Sequence, residues 1–267
     1  MVDDFAGKVA LVTGGSLGIG RAAARRLAQG GASVALCGRR PNEVERAVAE
    51  LRDEGLEVAG VAADVTIASD LEGLVAIAVE RYGGVDVLVN SAGIQTYGTV
   101  VETDEATWDR TLGVNLKGMY LAAKAAIPAM RARGGGAIVN VSSVQAFAAQ
   151  RGVAAYAASK GGINALTRAM AIDHAAEGIR VVAVCPASVE TPMLRHSAEL
   201  FRGEATAEAV LGTWGRMHPV GRIGQPEEVA ELIAFLAGPR ATFITGAEYT
   251  IDGGMMAALG VVLPAGG

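Results

Sequence analysis

Short apolar segments rich in β-branched residues recur along the chain, and most are followed by a longer segment with helical spacing of its apolar positions. The short segments predict seven buried strands, at Val9–Val12, Ser33–Cys37, Val58–Ala62, Val85–Val89, Ala137–Val141, Arg180–Cys185 and Glu248–Ile251. The longer segments predict helices at Gly20–Gln29, Asn42–Glu54, Asp70–Tyr82, Glu105–Arg131, Ala154–Glu177 and Pro226–Leu236. Because strands joined by helices return to a sheet through right-handed crossovers, this alternation predicts an α/β fold with a doubly wound parallel sheet.

The size and composition of the chain favour one domain. Its 267 residues are 51% hydrophobic, which is enough to bury a large core. Folds of the α/β class often form one domain at this length, and the sequence shows no internal repeat or low-complexity segment. We therefore expect a single domain over residues 1–267.

The charge of the chain limits its partners. It has 23 Lys and Arg against 28 Asp and Glu, a net charge of −5, and no run of basic residues. This argues against a nucleic-acid or anionic membrane surface and favours a small-molecule substrate and further copies of the chain as partners. The start of the chain, Met1-Val2-Asp3-Asp4, is acidic where a signal peptide is basic, and no apolar segment has the length of a membrane span. We expect a cytoplasmic location.

The cysteines and histidines indicate neither a disulfide nor a metal site. Cys37 and Cys185 each end an apolar strand segment, where cysteine usually acts as a small buried hydrophobe. The histidines form no cluster with acidic residues at ligand spacing; they are His174, His196 and His218. We therefore expect no catalytic metal.

A glycine-rich turn follows the first predicted strand and reads Thr13-Gly14-Gly15-Ser16-Leu17-Gly18-Ile19-Gly20. Gly14 permits a tight turn, Gly18 allows the backbone to approach a pyrophosphate, and Gly20 allows the next helix to pack closely on the strand. Since the turn lies between a strand and a helix, it predicts the phosphate site of a dinucleotide. Further backbone or hydroxyl contacts are expected from Ser16, Leu17 and Ile19.

A second group of residues points to acid–base chemistry. Tyr156 and Lys160 lie four residues apart in a predicted helix, and Ser143 ends the fifth predicted strand. Residues at this spacing share a helix face, so the Lys160 ammonium can stabilise the phenolate of Tyr156, whose ordinary pKa of about 10 makes it a poor base. Tyr156 would exchange a proton with an alcohol or carbonyl oxygen that Ser143 holds in place. This combination indicates hydride transfer between a nicotinamide cofactor and an alcohol or ketone.

The glycine turn and the Ser, Tyr and Lys pattern resemble the motifs of the short-chain dehydrogenase/reductase family, over Lys8 to about Gly254. The resemblance implies a Rossmann-like fold and a homotetramer, for which the small residues that begin the helix at Ala154 permit close packing. It also implies that Asn115 completes the catalytic set by supporting a proton-relay water beside the lysine. Lys160 would in addition bind the nicotinamide ribose.

Other segments resemble cofactor-binding motifs of the same family. Asp64-Val65 resembles an adenine-contacting pair, although Asp64 is equally a candidate for capping a turn. The sequence Asn90-Ser91-Ala92-Gly93 resembles the family's Asn-Asn-Ala-Gly, with Ser91 in place of the second asparagine. In the segment after the sixth strand, Ala187 replaces the family's usual glycine. The resemblance implies cofactor contacts from Asp64, Val65, Asn90, Ala92, Gly93, Tyr156, Lys160, Pro186, Val189 and Thr191.

The end of the second strand distinguishes between the two nicotinamide dinucleotides. An acidic residue there would bind the ribose hydroxyls of NAD, but the sequence has Gly38 followed by Arg39 and Arg40. These arginines can hold a 2′-phosphate by charge-assisted hydrogen bonds, so NADP(H) is favoured. The alternative is NAD(H), with the two arginines serving only as a solvated start of the next helix.

Substrate specificity is the least determined property. The predicted pocket residues are Gln95, Tyr97, Val144, Gln145, Phe147, Gln150, Val153, Ala187 and Met193. Their mixture of amides and apolar groups suits a small polyol, sugar or hydroxyketone without excluding a bulkier ketone. A reductase of carrier-bound 3-oxoacyl groups is the main alternative; Arg131 and Arg133 could contact an acidic carrier protein, although Glu177 disfavours this. A catalytically silent scaffold is disfavoured because none of the three reactive side chains is lost.

Two segments towards the end of the chain are expected to lie over the site. Residues from about 191 to 222 contain Met193, Leu194, Leu200, Phe201, Leu211, Trp214 and Met217, a pattern that suits an amphipathic helical lid. The alternative is that these residues pack on the body of the protein. Residues from about 255 to 267 form an apolar tail, which we expect to pack at a subunit contact or near the site.

Overall fold

Seven parallel strands form the centre of the molecule. The computed structural model describes residues 4–259 and gives the strand order β3-β2-β1-β4-β5-β6-β7. The strands are β1 Val9–Thr13, β2 Ser33–Gly38, β3 Val58–Ala62, β4 Val87–Asn90, β5 Gly136–Val141, β6 Ile179–Pro186 and β7 Glu248–Ile251. The predicted doubly wound, seven-stranded parallel sheet is confirmed. Because β1 lies between β2 and β4, the chain changes direction across the sheet there, which opens a crevice at the carboxyl ends of these strands.

Helices cover both faces of the sheet. Within the described residues they are α1 Gly18–Gln29, α2 Pro41–Asp53, α3 Ala68–Tyr82, α4 Glu105–Leu112, α5 Gly118–Ala132, α6 Ala154–His174, α7 Pro192–Phe201, α8 Ala207–Arg216 and α9 Pro226–Ala237. Apolar side chains of α1, α2 and α9 pack on one face of the sheet, and those of α3, α5 and α6 pack on the other. The two resulting cores bury both faces of the strands, which explains their nearly continuous apolar sequences.

The helix predicted over Glu105–Arg131 is interrupted in the structure. A π-helical turn, Gly113–Lys117, separates α4 from α5. Gly118 directly follows this turn, and a Cβ there would lie 2.8 Å from Val65 Cγ2. The turn carries Asn115 into the interior, where it is fully buried. Such π-helical turns occur often at functional sites.

The segment predicted as a lid forms α7 and α8. Thr191 caps α7 by accepting a hydrogen bond from Leu194 N at 3.2 Å, and Thr206 caps α8 in the same way. The inner sides of the two helices meet in a small apolar cluster that includes Ala198 and Leu211. The expected amphipathic helices are therefore present, while the 191–222 boundaries of a lid stay a prediction.

Arg131 and Arg133 lie at the opposite end of the sheet from the crevice. Both precede β5, and Arg133 binds Asp86 next to the start of β4, with 3.1 Å between Nη2 and Oδ2. Arg131 pairs with Glu177 at 2.6 Å. Both arginines thus lie at the amino ends of the strands and pair with carboxylates, while their contact with a carrier protein stays a prediction.

Other sequence expectations concern smaller features. Cys37 and Cys185 are buried free thiols, as predicted. No helix between residues 4 and 259 is both long and apolar enough to cross a membrane. Across the same residues, the structure holds no cluster of three or more potential metal-ligating His, Cys, Asp or Glu side chains. Residues 1–3, and residues 260–267 of the predicted tail, lie outside the described residues.

Candidate active site

A cavity of about 1140 Å³ opens at the carboxyl ends of the strands. It extends from the glycine turn after β1 to Tyr156 and Lys160 on α6. Most of the residues predicted to bind cofactor or substrate line it. The exceptions are Gly20, Asn90, Asn115, Phe147 and Val153, which do not line the cavity.

The exceptions have separate structural reasons. Phe147 follows the short helical turn Val144–Ala146 and is half exposed outside the cavity, so its assignment to the substrate pocket is wrong. Val153 is buried just before α6 and pairs with Gly98, so it supports the cavity wall from behind. Asn90 is also buried, and its Nδ2 donates to Asn140 Oδ1 at 3.0 Å on the neighbouring strand. These side chains shape the site without facing it.

The turn after β1 forms a backbone cradle. Gly14 and Gly18 have positive φ angles of 66° and 52°, which favour glycine. A Cβ at Gly14 would lie 2.8 Å from the backbone of Ala92, and one at Gly20 would collide with the carbonyl of Gly14. The first N–H groups of α1 remain available for an anion, because Leu17 at the N-cap has no side-chain acceptor. The cradle fits the pyrophosphate of a dinucleotide.

The end of β2 forms the next part of the cavity. A Cβ at Gly38 would lie 2.5 Å from Ser16 Oγ, so a larger residue here would require the Ser16 side chain to move, and the position lacks the acidic residue that an NAD site would carry. Arg40 Nε lies 2.7 Å from Glu43 Oε1, and this ion pair offsets its charge. Arg39 is exposed at the cavity and forms no ion pair within the part of the chain that the structure describes. Arg39 is therefore the cation available to a ligand here.

Asp64 combines the two roles considered for it. It lines the cavity, and its Oδ1 accepts hydrogen bonds from Thr66 N at 2.9 Å and Thr66 Oγ1 at 2.7 Å. These bonds, with a smaller contribution from the charge of Arg39, lower the pKa of Asp64. The carboxylate thus caps the turn after β3 while its residue forms part of the cavity wall.

Ser143, Tyr156 and Lys160 converge from two elements. Ser143 follows the end of β5; its Oγ accepts from Gln145 N at 3.1 Å and makes only a long contact, 3.5 Å, with the carbonyl of Pro186. Lys160 Nζ donates to the carbonyl of Val141 at 2.9 Å and lies 5.4 Å from the ring centre of Tyr156. All three side chains are buried and still line the cavity. This arrangement can hold an oxygen atom and exchange a proton with it.

Burial dominates the electrostatics of this group. Burial raises the pKa of Tyr156 to about 12, against a smaller lowering by the nearby Ser143 hydroxyl. Burial also lowers the pKa of Lys160 to about 8. Burial of the phenol thus sets the direction of the Tyr156 pKa in the protein alone, and stabilisation of the phenolate by Lys160 stays a prediction. At neutral pH Tyr156 is protonated, the form that can donate to a carbonyl oxygen.

Asn115 connects the elements around the site. Its Oδ1 accepts from Ile94 N at 2.8 Å, and its Nδ2 donates to Ile94 O at 2.9 Å and to Ser159 Oγ at 3.0 Å. Ser159 in turn donates to the carbonyl of Tyr156 at 2.7 Å. The amide thus ties the loop after β4 to α6. Its side chain does not line the cavity, and its expected support of a proton-relay water stays a prediction.

Several cavity residues were not predicted as contacts. They include Ile94, Ser188, His196 and Ser197. His196 and Ser197 follow Met193 on α7 by three and four residues, so helical spacing from the predicted Met193 was the available signal. Met255 and Met256 also line the cavity, which agrees with the expectation that the start of the tail packs near the site.

The fold and this site define the class of enzymes that transfer hydride through a nicotinamide dinucleotide. A family model described as "Enoyl-(Acyl carrier protein) reductase" matches residues 14–256. The chain is 40% identical to 2-(S)-hydroxypropyl-CoM dehydrogenase 3 of Xanthobacter autotrophicus over 94% of this chain and 97% of the relative. It is also 40% identical to human Dehydrogenase/reductase SDR family member 4, over 94% of this chain and 88% of that protein.

Solved structures agree with this assignment. The aldohexose dehydrogenase of Thermoplasma acidophilum superposes with a TM-score of 0.90 at 37% identity, covering 99% of this chain and 100% of that one. A single-substitution variant of actinorhodin polyketide ketoreductase with NADPH also gives a TM-score of 0.90, at 39% identity, covering 96% and 99%. The chain belongs to the short-chain dehydrogenase/reductase family. It is an oxidoreductase that acts on CH–OH groups.

Proposed function

We propose that the protein interconverts a secondary alcohol and its ketone with NADP(H), using Tyr156 as the proton donor and acceptor. The observation that carries the proposal is that Ser143, Tyr156 and Lys160 line the same cavity as the glycine turn. The turn offers backbone N–H groups to a pyrophosphate, and the buried hydroxyls offer a proton and a hydrogen bond to an oxygen. One cavity thus contains binding groups for both the dinucleotide and the alcohol or ketone.

The residues present fit a nicotinamide dinucleotide. The glycine cradle would hold its pyrophosphate, Arg39 a 2′-phosphate, Lys160 the nicotinamide ribose, and Val189 with Thr191 the carboxamide and the diphosphate. When bound, the nicotinamide supplies or accepts the hydride. Ala187, where the family usually has glycine, adds a methyl group beside this end of the cavity.

The side chains around the substrate oxygen would have different roles in the reaction. In reduction, Ser143 donates a hydrogen bond to the carbonyl oxygen and Tyr156 delivers the proton that the new alkoxide needs. In oxidation, the Tyr156 phenolate takes up the hydroxyl proton. The Lys160 ammonium, 5.4 Å from the ring centre of Tyr156, would favour that phenolate when it forms. Asn115 would act indirectly, by holding α6 against the loop after β4.

The proposal is tested by following nicotinamide absorbance with purified protein. Sugars, polyols, secondary alcohols and simple ketones are supplied with NADP(H) or NAD(H), and a 3-oxoacyl thioester is included for the alternative reductase function. We expect turnover with an alcohol or ketone of the first group. Turnover confined to the thioester would contradict the substrate assignment, and binding of dinucleotide without turnover in the whole panel would favour the scaffold.

We predict that Arg39→Asp reverses the dinucleotide preference. The substitution removes the unpaired cation beside Gly38 and adds a carboxylate that repels a 2′-phosphate. The ratio of kcat/KM for NADPH to that for NADH should fall by about 10²-fold, in line with the loss of a charge-assisted contact. Arg40→Asp is the matched control, since Glu43 already pairs with Arg40, and its ratio should change several-fold less. An unchanged ratio in the Arg39 variant would contradict the NADP(H) assignment.

We also propose a homotetramer. Phe243 is fully exposed before the edge strand β7, and Ile172 on α6 is 79% exposed. Apolar side chains of this size on a protein surface favour contact with another chain, and symmetric copies are the commonest partner. Light scattering that gave the mass of a monomer at micromolar concentration would contradict this assembly.

A further inference from the structure

A chain of hydrogen bonds fixes the direction of the Tyr97 hydroxyl. Ser197 Oγ lies 2.9 Å from the carbonyl oxygen of Met193, which can only accept, so Ser197 donates its single proton there. The contact between Tyr97 Oη and Ser197 Oγ, at 2.6 Å, must therefore use the proton of Tyr97. The Tyr97 oxygen keeps only lone pairs, so it can accept but not donate a further hydrogen bond.

The surroundings of Tyr97 hold this arrangement in place. The ring packs edge to face on Phe201 of α7, with 4.7 Å between centroids. The next residue, Gly98, donates its N–H to Gly152 O at 2.8 Å and accepts from Ala154 N at 3.2 Å, which anchors the loop to the start of α6. Ser197 is only 3% exposed, which limits competition from water for its bond. Tyr97, on the loop after β4, is thus held against α7.

Tyr97 also shares a cavity with the reacting group. It lines the cavity together with Ser143 and Tyr156, and it is near enough to Tyr156 to contribute to the raised pKa of that phenol. A second acceptor lies on the same cavity: Gln145 Oε1 is buried without a hydrogen-bond partner among residues 4–259, while Gln145 Nε2 contacts Gln150 Oε1 at 3.4 Å. The cavity that contains the catalytic tyrosine therefore offers acceptor oxygens that receive no hydrogen bond from the residues that the structure describes.

We infer that Tyr97 is a specificity-determining residue that accepts a hydrogen bond from a second hydroxyl group of the substrate. The substrate class is then a compound with a hydroxyl beside the reacting carbon: a vicinal diol, a sugar or polyol, or an α-hydroxyketone. A substrate without this donor makes no hydrogen bond to the Tyr97 oxygen, and one with an acceptor there meets another acceptor. The inference rests on the proposed function and narrows its substrate class.

The test compares two alcohols that differ by one hydroxyl. Cyclohexanol and cis-1,2-cyclohexanediol are oxidised by the wild type and by the Tyr97→Phe variant, and kcat/KM is measured for each. The wild type should prefer the diol by about tenfold, the net value of one hydrogen bond. Tyr97→Phe should lose most of that preference by slowing the diol, with cyclohexanol changed by less than about threefold. Dinucleotide affinity, measured by fluorescence, should be unchanged in the variant.

Ser197→Ala provides an independent readout. Without Ser197 the Tyr97 proton is free to point into the cavity, so Tyr97 can donate as well as accept. We therefore expect the ratio of kcat/KM for reduction of 1,2-cyclohexanedione to kcat/KM for reduction of 2-hydroxycyclohexanone to be about tenfold higher in the variant than in the wild type. A change in the opposite direction, or none, would contradict the assigned direction of the hydrogen bonds.

The outcomes separate this inference from the proposed function. Turnover of both ring alcohols without preference for the diol would overturn the role of Tyr97 and leave the proposed function standing. An equal loss with both alcohols in Tyr97→Phe would show a structural role only, and would also overturn it. Turnover of neither alcohol by the wild type, with dinucleotide bound, would count against both.

Discussion

Replacing Tyr156 by Phe should lower kcat by about 10³-fold or more, while dinucleotide affinity changes by less than about threefold. The substitution removes one buried hydroxyl and leaves the ring, whose centre is 5.4 Å from Lys160 Nζ, in place. No other phenol among the described residues that line the cavity is positioned to replace it, since the proton of Tyr97 is already donated to Ser197. The proton transfer would then depend on water, which the burial of the site restricts. Stopped-flow turnover and a dinucleotide titration measure the two effects.

The chain contains a matched control for this variant. Tyr120 and Lys124 form a second Tyr-x-x-x-Lys pair, on α5, with Lys124 Nζ 6.0 Å from the ring centre. This pair has the spacing of the first, but Tyr120 is 45% exposed and does not line the cavity. Tyr120→Phe should leave turnover within about twofold of wild type. Substantial activity in Tyr156→Phe would remove Tyr156 from the mechanism, and an equal loss in both variants would point to a general effect on folding.

The contrast between these two pairs shows what the sequence could and could not predict. Spacing alone makes Tyr120–Lys124 and Tyr156–Lys160 equivalent, since each places an ammonium one helical turn from a phenol. The position of Ser143 at the end of β5 distinguished them, because a strand end and the following helix meet at the crevice of a doubly wound sheet. The catalytic group and the glycine turn were therefore predictable from their order along the chain.

Properties that depend on burial, or on contacts between residues distant in sequence, were not predictable in the same way. Arg131 lies in the last turn of α5 and Arg133 directly follows it, but the residues that they pair with, Glu177 and Asp86, are distant in sequence. The π-helical turn Gly113–Lys117 lies directly between α4 and α5, so the sequence pattern predicts one continuous helix there. Similarly, the sequence gives Tyr156 a cationic neighbour but not the degree of burial that raises its pKa.

Replacing Lys160 by Met should raise the stability of the protein and lower its activity. Lys160 is buried, and its pKa is lowered from 10.5 to about 8, so the fold disfavours the protonated ammonium. Below pH 8 the lysine is protonated in both the folded and unfolded protein, and the full unfavourable contribution is present. The contribution fades as the pH rises towards 10.5, where the unfolded chain also loses the proton. A methionine of similar shape removes this unfavourable contribution of the buried charge. The variant should therefore unfold at higher denaturant concentration than wild type at pH 6.5, with a smaller difference at pH 9.5.

The same variant should lose about 10²-fold or more in kcat/KM, because it lacks the cation beside the Tyr156 ring and the donor expected at the nicotinamide ribose. Denaturant unfolding at the two pH values and steady-state turnover provide the measurements. Lys124→Met, at the surface counterpart, should show neither the gain in stability nor the loss of activity. A Lys160 variant that was less stable at pH 6.5 would mean that the bond to the Val141 carbonyl, 2.9 Å long, outweighs the desolvation of the charge. If stability rises while activity falls, then the fold holds this ammonium at a cost in stability, which is what a residue retained for chemistry should show.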